Sequence, residues 1–128
     1  MRLLLDSHAF LWAITDSNEL STKARDVLTD PDNELFLSVA SIWELAIKAS
    51  IGKLTLRMPL GDLLLSARHD LGLRVLQVEL DHALAVQDLP FHHRDPFDRL
   101  LVVQARSKGM PILSRDAVFD RYELPRIW

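Results

Sequence analysis

The sequence predicts an α/β fold with a central parallel sheet of four to five strands and helices on both faces. Short apolar segments alternate along the chain with longer segments in which apolar residues recur at helical spacing. The short segments are apolar at consecutive positions, as in strands that are buried on both faces. Because buried strands joined by helices pair in parallel, the two observations together indicate this fold class.

The predicted strands and helices follow each other along the whole chain. Strands are predicted at 3–5, 35–37, 75–78, 110–113 and 126–128. Helices are predicted at 8–16, 21–29, 39–50, 60–70, 81–88, 96–107 and 117–121. Glycine and proline interrupt regular structure, and several lie near these limits: Gly52, Pro59, Gly72, Pro90 and Pro111.

Composition limits the class of protein. The chain has 128 residues, of which 48% are hydrophobic and 26% are charged, as expected for one globular domain over residues 1–128. It has no cysteine, which excludes disulfides, thiol nucleophiles and cysteine-ligated zinc or iron–sulfur centres. No apolar run approaches the length of a membrane span, and the first run ends at Asp6, so we expect a cytoplasmic protein without a signal peptide.

The charged residues are unevenly distributed among the amino-acid types. A net charge of −3 argues against a basic protein that coats nucleic acid. Eleven of the 15 basic residues are nevertheless arginine, whose planar side chain suits phosphate. Aspartate outnumbers glutamate by 13 to 5 and is unfavourable inside helices, so it is expected at helix caps, in turns and in metal sites.

Four acids lie at junctions between predicted elements. Ligands of parallel α/β sheets bind beyond the carboxyl ends of the strands. Asp6 directly follows the first strand, Asp116 follows the strand at 110–113, and Asp98 lies in the first turn of helix 96–107. Glu44 lies at the edge of the apolar stripe of helix 39–50. We therefore expect these side chains at one edge of the sheet.

Each of these acids also has a local structural interpretation. Asp6 and Asp116 can cap helices, and Asp98 can favour a helix dipole. Glu44 can pair with Lys48 or complete a capping box with the serine three residues before it. These interpretations do not explain why all four acids lie at the same edge. Several converging carboxylates repel one another unless a cation lies between them, and oxygen ligands select Mg²⁺ or Mn²⁺.

Histidines and tryptophans give weaker signals. His92 and His93 are expected in a solvated turn, whereas His8, two residues beyond Asp6, could approach a substrate. The tryptophans are more typical of a core or an interface than of a stacking surface: Trp12, Trp43 and Trp128.

Four blocks of the sequence resemble the PIN-domain family, and within it the VapC toxins of bacterial toxin–antitoxin pairs. The blocks are residues 3–8 (LLLDSH), 40–44 (ASIWE), 93–101 (HRDPFDRLL) and 113–116 (LSRD). Each block alone is weak, but four in this order are specific. The resemblance extends over nearly the whole chain.

The resemblance implies a single PIN domain that acts as a metal-dependent endoribonuclease. Asp6, Glu44, Asp98 and Asp116 match the acidic quartet of the family. Asp6 and Asp98 would hold Mg²⁺ or Mn²⁺, and the other two would bind it directly or through water. The metal would lower the pKa of a water whose hydroxide attacks an RNA phosphodiester. The pattern is compatible with one metal or with two.

The resemblance also implies roles for neighbouring residues. Ser7 and Ser114 stand where many relatives have threonine, and Asp95 is an additional acid that also suits the N-cap of helix 96–107. Three arginines are candidates for holding the RNA backbone or for pairing with nearby acids: Arg94, Arg99 and Arg115.

The implied partners are RNA, a VapB-type antitoxin, and a second copy of the chain within a dimer or a larger toxin–antitoxin assembly. An antitoxin arginine could occupy the acidic pocket while an amphipathic segment lies in an apolar groove beside helices 8–16 and 39–50. The same helices carry the apolar residues expected at a two-fold interface: Phe10, Leu11, Trp12, Ile42 and Trp43.

Two other functions fit part of the sequence. A PIN fold without catalysis would only bind its partner, but the intact quartet argues against this. A Mg²⁺-binding phosphoacceptor receiver domain has an adjacent acidic pair after the first strand and a lysine after the last core strand. Here Ser7 follows Asp6, and Lys108 precedes its strand.

Overall fold

All five predicted strands pair in one parallel sheet in the computed structural model, which describes residues 1–128. The strands are β1 (Arg2–Leu5), β2 (Glu34–Ser38), β3 (Arg74–Leu76), β4 (Ile112–Leu113) and β5 (Arg126–Ile127). They are arranged in the order β3-β2-β1-β4-β5. The central strand β1 pairs with both β2 and β4, so that Leu5 lies opposite Leu37 and Leu113. The predicted fold class is confirmed.

Six α-helices connect the strands. They are α1 (Ser7–Thr15), α2 (Thr22–Thr29), α3 (Val39–Ser50), α4 (Leu60–Leu71), α5 (Leu80–Ala85) and α6 (Pro96–Lys108). Two predicted helices differ from the structure. The segment at 81–88 divides into α5 and a 3₁₀ turn at Val86–Asp88, and the segment at 117–121 is a 3₁₀ helix over Ala117–Tyr122. The predicted strand at 110–113 is shorter because Pro111 has no N–H to donate to a neighbouring strand.

The sheet separates two apolar layers. Leu3 and Leu5 point into one layer, which also contains Phe10 of α1. Leu4 points into the other layer, beside Leu101 of α6. Both faces of β1 are therefore covered, which explains why this strand is apolar at consecutive positions. None of the helices combines the length and apolarity needed to cross a bilayer.

Candidate active site

Three adjacent strands bring the predicted acids to one edge of the sheet. Asp6 follows β1, Asp116 follows β4, and α3, which carries Glu44, begins directly after β2. Asp98 enters from the first turn of α6. The charges of Asp6, Glu44 and Asp116 all contribute to raising the pKa of Asp98, so the four predicted acids are electrostatically coupled.

Asp6 is held in a fixed orientation by hydrogen bonds to both carboxylate oxygens. Its Oδ1 accepts from the backbone N–H of Ala9 at 2.8 Å, which makes Asp6 the N-cap of α1. Its Oδ2 accepts from the hydroxyl of Ser114 at 2.5 Å. Burial raises the pKa of Asp6, and these two hydrogen bonds oppose that shift. The cap that the sequence predicts thus also presents a carboxylate at the sheet edge.

Glu44 is buried and is also fixed at both oxygens. Its Oε1 accepts from the Ser7 hydroxyl at 2.5 Å, and its Oε2 lies 3.2 Å from Lys48 Nζ. The pair with Lys48 is one of the two local interpretations of this acid. The other does not form, because Ser38 caps α3 and the buried hydroxyl of Ser41 has no hydrogen-bond partner.

Asp98 and Asp116 form the closest group of potential metal ligands, together with His93. One ligand atom from each of the three residues lies within 4.8 Å of the other two. His93 Nε2 lies 2.8 Å from Asp98 Oδ2 and 3.5 Å from Asp116 Oδ2. Burial is the main cause that raises the pKa of Asp98 to about 8, and the nearby charge of Asp95 is the next. A cation at this position would relieve that unfavourable charge.

His93 was expected in a solvated turn, but the structure places it against the acids. The backbone N–H of Asp95 donates to His93 Nδ1 at 3.2 Å, so the neutral ring carries its proton on Nε2. That atom is buried and close to Asp98, but its N–H does not point along the contact and makes no hydrogen bond. Its position in the block 93–101, beside Asp95 and Asp98, was the only sequence signal for this role.

The cap predicted for Asp95 is present. Its Oδ1 accepts from the backbone N–H groups of Phe97 at 2.8 Å and Asp98 at 3.2 Å. Asp116 likewise caps the 3₁₀ helix, with its Oδ1 accepting from the backbone N–H of Val118 at 3.0 Å. Asp116 keeps its second oxygen, Oδ2, toward His93. A capping role and a place in the acidic group are therefore compatible in the same side chain.

The three candidate arginines have different environments. Arg94 is exposed and makes neither an ion pair nor a hydrogen bond. Arg115 pairs with Glu19, and its guanidinium lies 4.6 Å from the centre of the Trp12 ring. Arg99 departs from the expected contact with RNA. Only 4% of Arg99 is exposed, and its guanidinium donates to backbone carbonyls: those of Val86, Leu89, Pro90 and His93.

Two depressions lie beside the acids. A cleft of about 280 Å³ is lined by Asp6, His8, Trp12, Arg115 and Asp116. An apolar groove of about 330 Å³ shares Trp12 and runs between α1, residues 54–57 and Leu63. The largest cavity, about 800 Å³, lies at the opposite edge of the sheet and is lined by residues 28–34, 70–72 and 74, so size alone does not identify the active site.

The donor set fits a hard divalent cation. Carboxylates of Asp98 and Asp116, with an imidazole at their side, offer oxygen ligands in a partly buried position. Asp6 and Glu44 lie in the same electrostatic group, but their oxygens are occupied by hydrogen bonds and the Lys48 contact. The structure therefore gathers all four predicted acids but draws only two of them into the closest cluster.

Comparisons with known proteins agree with this fold. The chain matches VapBC2 of Rickettsia felis, solved with a DNA fragment from its promoter, with a TM-score of 0.72 and 15% identity over 98% of this chain and 97% of that one. It matches VapBC-1 of nontypeable Haemophilus influenzae with a TM-score of 0.67 and 17% identity over 98% and 96%. It matches VapC20 of Mycobacterium tuberculosis, a toxin that cleaves the Sarcin-Ricin loop, with a TM-score of 0.66 and 13% identity over 95% of both chains.

Structural similarity at such low sequence identity establishes only a shared fold. The family follows from the sequence itself. No curated protein matches the chain in a search by sequence. The family model of the PIN domain matches residues 3–124, which is nearly the entire chain. The chain therefore belongs to the PIN-domain family.

Proposed function

We propose that this PIN domain is a Mg²⁺- or Mn²⁺-dependent endoribonuclease of the VapC toxin type, neutralised by a VapB-type antitoxin. The observation that carries the proposal is the convergence of four acids and His93 beyond the carboxyl ends of adjacent strands, where the pKa of Asp98 rises to about 8. Structural similarity to VapC20, a toxin that cleaves the Sarcin-Ricin loop, supports the RNA substrate. The match to the PIN family model argues against the alternative of a receiver domain.

Asp98 and Asp116 are the residues that would hold the metal, with His93 beside them. Asp6 and Glu44 lie outside this group but near enough for their charges to act on Asp98. When bound, Mg²⁺ or Mn²⁺ lowers the pKa of a water molecule and stabilises charge that develops on the phosphate. Asp98 binds a cation only after losing its proton, so the pKa of this side chain governs loading of the site.

The remaining polar side chains keep the acids in place. Ser114 holds the Asp6 carboxylate, and Ser7 holds that of Glu44, each through a hydrogen bond of 2.5 Å. Because these hydrogen bonds form before the substrate binds, the site needs little reorganisation during the reaction. We assign Ser7 and Ser114 this positioning role. Arg94 and Arg115 are exposed and lie on segments adjoining the acids, so they are the proposed contacts to the RNA backbone.

The proposal is tested by removing one carboxylate charge at a time. Asp6→Asn and Asp98→Asn should each reduce RNA cleavage by about 100-fold or more, the effect of losing one group that stabilises the transition state. Cleavage of transfer, ribosomal and messenger RNA with and without Mg²⁺ measures activity. Titration calorimetry with Mn²⁺ measures whether metal binding weakens.

Two controls make the test specific. Asp62→Asn changes an acid in the first turn of α4 and should leave cleavage and Mn²⁺ binding unchanged. Asp95→Asn should have a smaller effect than Asp98→Asn, because Asp95 acts mainly as a helix cap. Unchanged cleavage and metal affinity in Asp6→Asn and Asp98→Asn would contradict the site. A larger loss from Asp95→Asn would contradict the assignment of Asp98 as the principal acid.

For the antitoxin, we propose that an arginine enters the acidic pocket and that an amphipathic segment occupies the apolar groove along α1. A guanidinium can bond both oxygens of a carboxylate, and the neighbouring acidic charges that contribute to the raised pKa of Asp98 would also favour a positive charge in this pocket. The groove is lined by α1 and residues 54–57, so it adjoins the expected helix 8–16 but not helix 39–50.

For the homodimer, we propose that the exposed face of α3 forms the two-fold contact. Trp43 is 62% exposed, and Ile51, at the end of α3, is 59% exposed. Phe10, which was expected at this interface, is completely buried in the core and cannot contribute. Phe10 therefore drops out of the interface expected from helices 8–16 and 39–50, and we propose that the second helix contributes the main contact.

A further inference from the structure

The cleft beside the acids has two chemically different walls. Asp6 and Asp116 form one wall, and His8, Trp12 and Arg115 form the other. A ligand in this cleft therefore contacts two acids of the proposed active site directly. At about 280 Å³, the cleft is just below the usual size range of ligand sites and suits a small unit of a longer molecule.

The second wall is a stack of rings and a guanidinium. The His8 and Trp12 rings are stacked, with centroids 5.3 Å apart and planes inclined by 29°. Arg115 places its guanidinium 4.6 Å from the centre of the Trp12 ring. Contacts outside the cleft hold two members of this arrangement: the Trp128 ring lies 5.7 Å from that of Trp12, and Glu19 pairs with Arg115.

The wall is accessible to a ligand. His8 is exposed, and 55% of the Arg115 side chain is exposed even though it is paired with Glu19. Trp12 was expected in a core or an interface. It packs against the first apolar layer and also lines the cleft, so it joins the core to the wall.

We propose that this cleft binds one unpaired nucleotide of the RNA substrate, next to the phosphate that is cleaved. The nucleotide base stacks on the wall formed by His8 and Trp12, and Arg115 contacts a phosphate of the same strand. Aromatic rings accept the face of any base, and arginine adds a cation to the contact. This inference rests on the proposed ribonuclease function and adds the side chains that position the strand.

The charges of the cleft explain why a nucleotide fits better than a free phosphate. The wall of Asp6 and Asp116 repels anions, and Arg115 is the only permanently charged cation in the lining. A base is uncharged and can occupy the space that a phosphate avoids, while its own phosphate reaches Arg115. The contact selects single-stranded RNA, because a paired base keeps its faces inside a helix.

Binding is measured with a fluorescein-labelled RNA octamer, by anisotropy, in an Asp98→Asn background that leaves the RNA intact. Trp12→Leu removes the aromatic ring and should weaken binding by about 10-fold, within the range for loss of one base stack. His8→Ala, at an exposed position, should also weaken RNA binding. It is the alternative test if Trp12→Leu fails to fold. Leu65→Ala removes an exposed apolar side chain of α4, outside the cleft, and should leave affinity unchanged.

Two further measurements separate the base from the phosphate. An abasic nucleotide placed at successive positions of the octamer should weaken binding to the Trp12-containing protein at one position, but not to Trp12→Leu. Arg115→Gln should lower the slope of log affinity against log salt by about 0.7, the value for one phosphate contact on a single strand. Arg121→Gln, an exposed arginine that does not line the cleft, is the matched control.

The outcomes distinguish this inference from the proposed function. If the protein cleaves RNA while Trp12→Leu and His8→Ala keep full RNA affinity, the cleft does not hold a nucleotide and the ribonuclease proposal stands. A cleft that receives a protein surface would give the same result and would overturn the inference. If the unaltered protein neither binds nor cleaves any RNA with Mg²⁺ present, both proposals fail.

Discussion

His93 Nε2 lies 2.8 Å from Asp98 Oδ2 and 3.5 Å from Asp116 Oδ2, so one imidazole contacts both acids with which it forms a group of potential metal ligands. The backbone of Asp95 fixes the opposite ring nitrogen and thereby the direction of the ring. The segment that leads into the first turn of α6 therefore provides a helix cap, an orienting imidazole and a carboxylate of the proposed metal site.

The stability of the metal-free protein should fall as pH rises from about 4 to about 8. The folded state holds the Asp98 proton up to a pKa of about 8, whereas the ordinary pKa of an aspartate side chain is 3.8. Between these values the folded chain binds more protons than the unfolded chain, so raising the pH favours unfolding. Denaturation by urea in EDTA should show a decrease of a few kcal/mol, on the order set by this shift.

Asp98→Asn removes this charge and should flatten the pH dependence. At pH 8.5 the variant should be more stable than the unaltered metal-free protein by about 1–3 kcal/mol, because the mutation removes a buried, repelled carboxylate. Mn²⁺ should stabilise only the protein that retains Asp98. Equal pH profiles for the two proteins would contradict the assignment of the titrating group.

His93→Ala should weaken Mn²⁺ binding by about 10- to 100-fold, the usual cost of losing a residue that orients metal ligands. His93→Gln keeps a polar group of similar reach and should lose less affinity. Titration calorimetry gives both values. His69→Ala is the control, because His69 also contacts an aspartate, Asp70, but is 89% exposed and distant in sequence from the site.

Arg99 and Arg94 should respond in opposite ways to replacement by alanine. Arg99→Ala leaves several buried carbonyl groups without a donor and should destabilise the fold by about 3 kcal/mol. Arg94→Ala should leave the melting temperature unchanged and weaken RNA binding with a smaller salt dependence. Thermal unfolding and anisotropy test the pair. If Arg99→Ala is stable but binds RNA poorly, the structural role of Arg99 is contradicted and a role in RNA binding is supported.

The complex with a VapB-type antitoxin should weaken as Mg²⁺ concentration rises, because the metal and an antitoxin arginine compete for the same carboxylates. Surface plasmon resonance at low and high Mg²⁺ measures this. The apolar groove and the nucleotide cleft share Trp12, so the same complex should exclude RNA. An affinity independent of Mg²⁺, together with full cleavage by the complex, would show inhibition at another surface.

Self-association should depend on α3. Sedimentation at micromolar concentration should show a dimer, and Ile51→Lys should shift it to monomer by placing a charge in the apolar contact. Leu84→Lys on α5 is the matched control for Ile51→Lys, because Leu84 is 61% exposed and Ile51 is 59% exposed. A monomer before mutation, or equal effects of the two variants, would contradict the α3 interface.

The sequence was informative where one residue serves two purposes. Asp6 and Asp116 are caps that point toward the sheet edge, so local rules placed them correctly. His93 could not be placed, because its role arises from a turn whose path is set by tertiary contacts. Arg99 gave a signal in retrospect, since an arginine before the apolar run 100–103 must be buried with its donors occupied.

The hydrogen bond between Ser114 and Asp6 joins residues 108 positions apart. During synthesis, the first strand and its carboxylate emerge from the ribosome long before the segment that completes their environment. Until β4 is translated and paired, Asp6 has neither its hydroxyl donor nor the neighbouring Asp116. The proposed active site is therefore incomplete until nearly the whole chain has been translated, and we expect hydrolytic competence to arise as one of the last events of folding.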